Sequence, residues 1–241
     1  MNMNDELDLA KLNVKNINDI ADIKSNPVIE GLMSTVRAVP VIGDLIDSSI
    51  NTTISKFQHE KEKEFIDVIL KDKGSITSEE VNDIEFIFNY AKTMEAVKRL
   101  AANDKVKYFG NLIRNGYLSG EKISNNDFEE YMDILNTMSY REIESLVDFK
   151  TFSDDSNGKK NYNPYPWPKF QKEYAKKLNI SPNEVYGIFM RIKQTGLVEE
   201  LFETESGDVD DNTVSELSVD GGGFRVVEYY EKFKNIVLRE D

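Results

Sequence analysis

The side chains that most often perform catalysis are scarce in this sequence. The chain has no cysteine and a single histidine, His59, which lies in the charge-rich stretch KFQHEKEKE. Thiolate nucleophiles, disulfides and thiolate zinc sites are therefore excluded within this chain. A lone histidine among so many charges is typical of a solvated surface position. The sequence also contains no HExxH, Walker-type or GxSxG motif.

Two other patterns could hold a ligand, and neither is complete. Asp208 and Asp210 begin an EF-hand-like spacing, but Thr213 and Val219 occupy the positions where that loop requires Gly and Glu. The GGGF sequence at 221–224 lacks the strand–loop–helix context of a phosphate-binding loop, and we interpret it as the flexible base of a β-hairpin. The sequence therefore predicts no catalytic residue, no metal site and no cofactor, and a protein that is not an enzyme.

Length, net charge and cysteine content limit the number of domains, the kinds of partner and the cellular compartment that we expect. The chain has 241 residues, a net charge of −14 and a pI of about 4.7. This length suits one large domain or two modest ones. The strong negative charge disfavours non-specific attraction to nucleic acid or to anionic lipid. The absence of cysteine favours a cytoplasmic setting.

Helical periodicity dominates the first 150 residues. Apolar residues recur at three- to four-residue steps over 44–70, 84–97, 106–113, 127–138 and 143–147. Capping boxes at 77–80 and 139–142 mark two helix starts. In the second of these segments we expect Ile84, Ile87, Phe88, Ala91, Met94 and Val97 to form the face that packs in the core. No strand-like alternation appears in this part, so residues 1–150 predict an all-helical bundle.

The stretch AVPVIGDLIDSS at 38–49 resembles the beginning of a membrane segment. However, the longest run without Asp, Glu, Lys or Arg anywhere in the chain is eight residues, whereas a spanning helix needs about 18 apolar residues. The sequence therefore predicts no transmembrane segment, and we interpret Pro40 and Gly43 as the entry into a core helix. Peripheral membrane association through the amphipathic region 28–57 is an alternative.

The amino-acid composition changes after residue 150. We interpret 151–164 as a linker or loop, because it contains the turn signal Asn157-Gly158 and leads into closely spaced prolines. Tyr162, Tyr165 and Trp167 could form a loop that binds a partner. The other interpretation is that these aromatic residues fasten the loop to its own domain.

Residues 165–241 predict a winged-helix-like domain. A helix over 169–178 is followed by a short NIS turn and by Ser181-Pro-Asn-Glu184, which is the strongest helix-start signal in the chain. LVEELFET and GFRVVEY then predict two strands around a Gly/Asp/Ser-rich loop, and a last helix follows at about 228–238. Helix, turn, helix and a two-stranded wing is the winged-helix order. The overall prediction is a mainly α protein, with a helical bundle followed by a winged-helix-like α+β module.

The charge of this module gives two opposite indications about DNA. Candidate contacts to nucleic acid or to a partner are five cations of its two-helix region, namely Lys172, Lys176, Lys177, Arg191 and Lys193. Residues 199–220, in contrast, hold nine acids and no Lys or Arg, and such a wing would be repelled by a phosphate backbone. We therefore expect an unidentified protein partner, with DNA binding as the alternative. The sequence does not indicate the oligomeric state.

Two phrases in the middle of the chain resemble a bacterial family. KVKYFGNLIRNGY at 105–117 and FEEYMDILNTMSYREIESLVDF at 128–149 are similar to bacterial proteins of the abortive-infection alpha type. The matching residues are Phe109, Leu112, Asn115, Leu135, Met138, Ser139 and Glu142. The resemblance implies a cytoplasmic bacterial protein linked to phage defence or a mobile element, and it implies no catalytic residue. The chain departs from the pattern at Met138, where leucine is usual, and in its longer acidic wing.

Overall fold

The structure is a computed structural model that describes residues 48–71, 83–118, 122–157, 166–204 and 219–239. It divides into two compact units, Met1–Glu129 and Glu130–Asp241. The described residues are mainly helical, as predicted, with one two-stranded sheet. The domain boundaries inferred from composition at 150 and 165 stay predictions. The stretch 38–47, the capping box at 77–80 and the acidic loop at 205–218 lie outside the described residues.

Four helices supply the described part of the first unit. Helix α1 spans Ser48–Leu70, α2 spans Ile84–Arg99, α3 spans Val106–Ile113 and ends in a π-helical turn at Arg114–Leu118, and α4 spans Asn125–Thr137 and crosses into the second unit. Helix α1 lies close against α3, because Gly110 leaves no side chain in the way. A Cβ atom there would lie 2.5 Å from Val68 Cγ1.

A buried lysine joins α1 to the end of α2. Lys61 is only 1% exposed, and its Nζ donates hydrogen bonds to the backbone carbonyls of Lys98, at 3.5 Å, and of Leu100. These carbonyls lie at the C-terminal end of α2. Carbonyls at the end of a helix have no backbone N–H group of the same helix to bond to, and they carry partial negative charge. Burial lowers the pKa of Lys61. The lysine therefore acts as a C-terminal cap supplied by a neighbouring helix.

Helix α2 buries a different stripe from the one that the sequence predicted. Asp83 caps its start by accepting a hydrogen bond from the Glu85 backbone N–H at 3.0 Å. The buried positions are Phe86, Asn89, Tyr90, Thr93, Met94 and Val97. Of the predicted core face, Met94 and Val97 are buried, but Ile84 and Phe88 are 70% and 72% exposed. The prediction was wrong for these two because the helix carries two apolar stripes, and Phe86 and Tyr90 fill the core.

The second unit continues from α4 with four helices and a hairpin-like sheet. Its elements are α5 at Tyr140–Asn157, α6 at Trp167–Leu178, α7 at Pro182–Lys193, β1 at Val198–Thr204, β2 at Val219–Val226, α8 at Glu228–Phe233 and a π-helical turn at Lys234–Leu238. The capping box predicted at 139–142 is present. The Glu142 backbone N–H donates to Ser139 Oγ at 3.3 Å, and the Ser139 N–H donates to Glu142 Oε2 at 2.7 Å.

Helix α5 is longer than the sequence predicted. It extends through the first seven residues of the predicted linker 151–164. Thr151 and Ser153 are neutral or poor helix formers that often mark loops. Here each hydroxyl donates to the carbonyl four residues earlier, at 3.0 Å and 2.8 Å. Lys150 also pairs with Asp154 at 2.7 Å across one turn. The helix therefore accommodates both hydroxyls by bonding them to its own carbonyls, and the ion pair of Lys150 with Asp154 supports the turn that follows the predicted end.

The two strands pair antiparallel, with Val198 opposite Val226 and Leu201 opposite Gly223. The register then shifts, so that Phe202 lies opposite Gly221 and a bulge falls at Gly222. Residues 221–224 belong to β2, so this strand begins before the predicted GFRVVEY segment, and the flexibility expected of 221–224 stays a prediction. Gly223 has a φ of +127°, and a Cβ atom there would lie 2.4 Å from Trp167 Cδ1. A glycine is therefore needed for the strand to pass so close to the indole ring.

Candidate interface for a partner or nucleic acid

Helices α6 and α7 are set at their relative angle by a short, strongly specified turn. Asn179 ends α6 in the left-handed conformation, with a φ of 54°, which short polar side chains tolerate. Ser181 then begins α7 with a complete capping box, because its Oγ accepts from the Glu184 N–H and the Glu184 carboxylate accepts from the Ser181 N–H. These observations confirm the predicted turn and helix start.

A cluster of aromatic rings holds these helices against α5 and β2. Trp167 lies at its centre, with edge-on contacts to Phe189 and Phe224 at ring-centroid distances of 4.8 Å. Phe149 packs against Phe170 at 4.9 Å. Trp167 is only 3% exposed. The indole therefore belongs to the core and does not offer a partner the aromatic surface that the sequence suggested. Tyr162 and Tyr165 lie outside the described residues.

Three of the five candidate cations are held by carboxylates of the same unit. Lys177 Nζ lies 2.6 Å from Asp148 Oδ2, and Arg191 Nε lies 2.5 Å from Glu142 Oε1. Lys193 Nζ lies 2.5 Å from Glu200 Oε2. Each pair cancels the positive charge where it would otherwise attract phosphate. Part of the cationic surface predicted from the sequence is therefore neutralised within the fold.

The remaining two cations lie on one face of α6. Lys172 and Lys176 are exposed, four residues apart, and neither has a carboxylate partner among the described residues. Lys169, one turn earlier, faces Glu173 at 3.8 Å. The free positive charge of this helix is therefore limited to two side chains.

Hydrogen bonds lower the pKa values of the two carboxylates that bind Arg191 and Lys193. Burial alone would raise the pKa of Glu142, but hydrogen bonds from Ser139 and Arg191 outweigh it and hold this pKa below its ordinary value. The bond from Lys193, followed by one from the Tyr186 hydroxyl, lowers the pKa of Glu200. Both carboxylates therefore stay charged at neutral pH.

The two-stranded sheet also pairs charges internally. Arg225 on β2 contacts Glu199 on β1, with Nη2 at 2.5 Å from Oε1 and Nε at 2.7 Å. These residues are register partners in the sheet, so the pair is a cross-strand contact. Phe202, further along β1, is 56% exposed, and Lys193 Nζ lies 5.8 Å from its ring centroid.

The described residues contain no arrangement that resembles a metal centre or a membrane span. No three His, Cys, Asp or Glu side chains come together there in a way that would hold a metal ion. His59 is half-buried, with Nδ1 at 3.9 Å from Glu62 Oε2. Over the same residues, no helix combines the length and the apolar character that crossing a bilayer requires. Of the region 28–57, the structure describes the side chains of Lys56 and Phe57 only.

No family model, curated protein or solved structure matches this chain. Its own residues therefore carry the functional argument.

The structure also places an open cavity that the sequence did not indicate. It has a volume of about 280 Å³ and lies in the second unit, among α4, the turn after α7 and the start of α8. Its lining residues are Glu130, Asp133, Ile134, Thr137, Gln194, Thr195 and Tyr229. The Tyr229 hydroxyl donates to Glu130 Oε2 at 2.9 Å. The cavity joins residues up to 99 positions apart in the chain, so no local motif predicts it.

Proposed function

We propose that this chain is a non-enzymatic interaction protein, whose second unit is a winged-helix-like module that contacts a protein partner. The observation that carries the proposal is the neutralisation of Lys177, Arg191 and Lys193 by carboxylates of their own unit. A module that binds DNA normally presents unpaired cations to the phosphates, because counterion release supplies much of its affinity.

The order of elements supports the winged-helix part of the proposal. Helix α6, a tight turn, the strongly capped α7 and an antiparallel two-stranded sheet follow one another in the second unit. In DNA-binding members of this class, the second of the two helices enters the major groove. Here Arg191 and Lys193 near the end of α7 are already bound to Glu142 and Glu200. Protein docking therefore fits the charge of this surface better.

The proposed biological setting rests on two phrases of the sequence. The resemblance of 105–117 and 128–149 to abortive-infection proteins supports a role in phage defence or on a mobile element, in a bacterial cytoplasm.

DNA binding is the second candidate, and one observation favours it. Lys172 and Lys176 lie one turn apart on α6, exposed and without a carboxylate partner among the described residues. In this alternative the lysines contact phosphates, and the acidic loop at 205–218 does not oppose the duplex. Phosphate contacts of this kind bind all DNA sequences alike and are strongly salt-dependent.

A fluorescence anisotropy titration with labelled duplex DNA at moderate salt separates the two candidates. We expect no saturable binding by the wild-type protein. If the protein does bind, the double variant Lys172→Glu/Lys176→Glu tests the surface, and Lys56→Glu/Lys63→Glu on α1 is the charge-matched control. Saturable, salt-sensitive binding that only the α6 variant weakens would establish the DNA alternative.

A further inference from the structure

The open cavity of the second unit combines two carboxylates with an apolar side chain. Glu130 and Asp133 both line it, because residues three apart lie on the same face of helix α4. Ile134, which is 7% exposed, gives the lining an apolar part. Of the described residues, those that line the cavity include no lysine or arginine, although Lys193 and Lys232 are near lining residues in the sequence. The lining therefore presents negative charge beside a hydrocarbon surface.

The two carboxylates of the cavity are not neutralised by a described cation, unlike those that hold the cations of α6 and α7. Asp133 is exposed and forms no ion pair or hydrogen bond with another described residue. Glu130 accepts a hydrogen bond from the Tyr229 hydroxyl through Oε2 only, and a carboxylate can accept several such bonds. The Tyr229 ring also packs against Tyr131 of α4, with 6.0 Å between the ring centroids. Both carboxylates can therefore bind a further donor.

Two hydroxyl groups of the lining favour a hydrogen-bond donor as well. Thr195 Oγ1 donates to the Ile192 carbonyl at 2.6 Å, and the Tyr229 hydroxyl donates to Glu130 at 2.9 Å. Since each hydroxyl has a single proton, both oxygens can only accept a hydrogen bond from a ligand. Gln194 and Thr195 also follow directly after helix α7, and the C-terminal end of a helix favours positive charge. A ligand that fits this lining donates hydrogen bonds and is a cation.

We propose that the cavity binds an organic cation with N–H donors, namely a guanidinium or ammonium group on a short alkyl chain. Carboxylates bind such groups through charge-assisted hydrogen bonds, and the alkyl chain packs against Ile134. The volume of about 280 Å³ suits one such group, since pockets for drug-sized ligands enclose roughly 300 to 1,000 Å³. A free small cation and a side chain of another protein both supply this chemistry. The inference does not depend on the partner proposed for the second unit.

An NMR titration of the ¹⁵N-labelled whole chain with butylguanidinium tests the site. We expect saturable shifts at millimolar concentrations in the backbone signals of Gln194, Thr195 and Tyr229. Asp133→Asn removes one negative charge at nearly constant size and should weaken binding at least about tenfold. Asp155→Asn is the matched control, because Asp155 is an exposed carboxylate of α5 that does not line the cavity. The control should leave the affinity unchanged, and the same spectra show that both variants are folded.

Two further probes test the chemistry of the ligand and its source. Tetramethylammonium carries the charge without N–H donors and should bind at least about tenfold more weakly than butylguanidinium. If the peptide acetyl-Gly-Arg-Gly-amide binds at least as tightly as butylguanidinium, the source is a side chain of a partner protein, whereas weaker binding indicates a free cation. The proposal is overturned if neither guanidinium probe produces saturable shifts, if Asp133→Asn and Asp155→Asn weaken binding equally, or if tetramethylammonium binds as well as butylguanidinium.

Discussion

Gly223 combines an unusual backbone conformation with a close contact to the core residue Trp167. Its φ of +127° is a conformation that residues with a side chain rarely adopt, and the Trp167 ring occupies the space where a Cβ atom would lie. The passage of β2 over Trp167 therefore relies on the absence of a side chain. Replacing Gly223 would disturb the aromatic cluster that positions α6 and α7.

We predict that Gly223→Ala destabilises the second unit by about 2 to 4 kcal/mol, because backbone strain and overpacking add together. Gly187→Ala is the matched control. Gly187 lies within α7, and a Cβ atom there meets no other atom within 4 Å. The control should stabilise the unit by about 0.5 to 1 kcal/mol through helix propensity.

Trp167 provides the measurement for both variants. It is the only tryptophan of the chain and is buried, so its fluorescence during urea unfolding reports on the second unit. A Gly223→Ala protein as stable as wild type would show that the close approach to Trp167 does not constrain the fold.

At the scale of elements, Glu142 connects two helices. It completes the capping box of α5 and accepts a hydrogen bond from Arg191 on α7. Since its pKa is lower in the folded protein, Glu142 contributes stability at pH values above the unfolded-state pKa, near 4.5. This stability is lost as the pH falls below about 4.5 through the folded-state pKa.

We predict that Glu142→Gln lowers the stability of the second unit by about 1 to 2 kcal/mol at neutral pH, because glutamine retains the cap but loses the ion pair. The difference from wild type should shrink as the pH falls below 4.5. Urea unfolding followed by Trp167 fluorescence across this range measures it. Asp148→Asn, which breaks the more exposed pair with Lys177, should have a small and nearly constant effect. If Glu142→Gln and wild type lose stability equally as the pH falls below 4.5, the charge of Glu142 does not stabilise the second unit.

The sequence was sufficient to predict most helices, because their signals are local. The box at Ser181 and Glu184 and the box at Ser139 and Glu142 are both present in the structure. The side of α2 that faces the core was not predictable in the same way. Periodicity identifies apolar positions, but a helix with two apolar stripes requires knowledge of its neighbours. Phe86 and Tyr90 are buried because they contact Tyr117 and Phe65, which lie at a distance in the sequence.

The sequence was sufficient to predict which cations lie in the candidate interface, but not which of them are paired with carboxylates. The five candidate cations on α6 and α7 are evident in the sequence. The partners of Lys177 and Arg191, however, are carboxylates 29 and 49 residues away. Only tertiary structure brings these groups together, and it changes the interpretation of the surface. The cavity beside Tyr229 escaped prediction for the same reason.

At the scale of the whole molecule, charge is the property that bears most directly on function. The net charge is −14, and residues 199–220 alone hold nine acids. The predicted lack of DNA binding therefore has two distinct explanations. Either the acidic loop repels the duplex, or the α6–α7 surface has too few free cations to bind it. The ion pairs of Lys177, Arg191 and Lys193 favour the second explanation.

The most direct test is an anisotropy titration of duplex DNA with the variant Asp208→Asn/Asp210→Asn/Asp211→Asn, which removes three of the nine acids. Because Lys177, Arg191 and Lys193 stay paired in this variant and only Lys172 and Lys176 lack a carboxylate partner among the described residues, we predict no saturable binding even at moderate salt. Tight, saturable and salt-sensitive binding by this variant, or by the wild-type protein, would contradict the proposal that the module contacts protein instead of DNA.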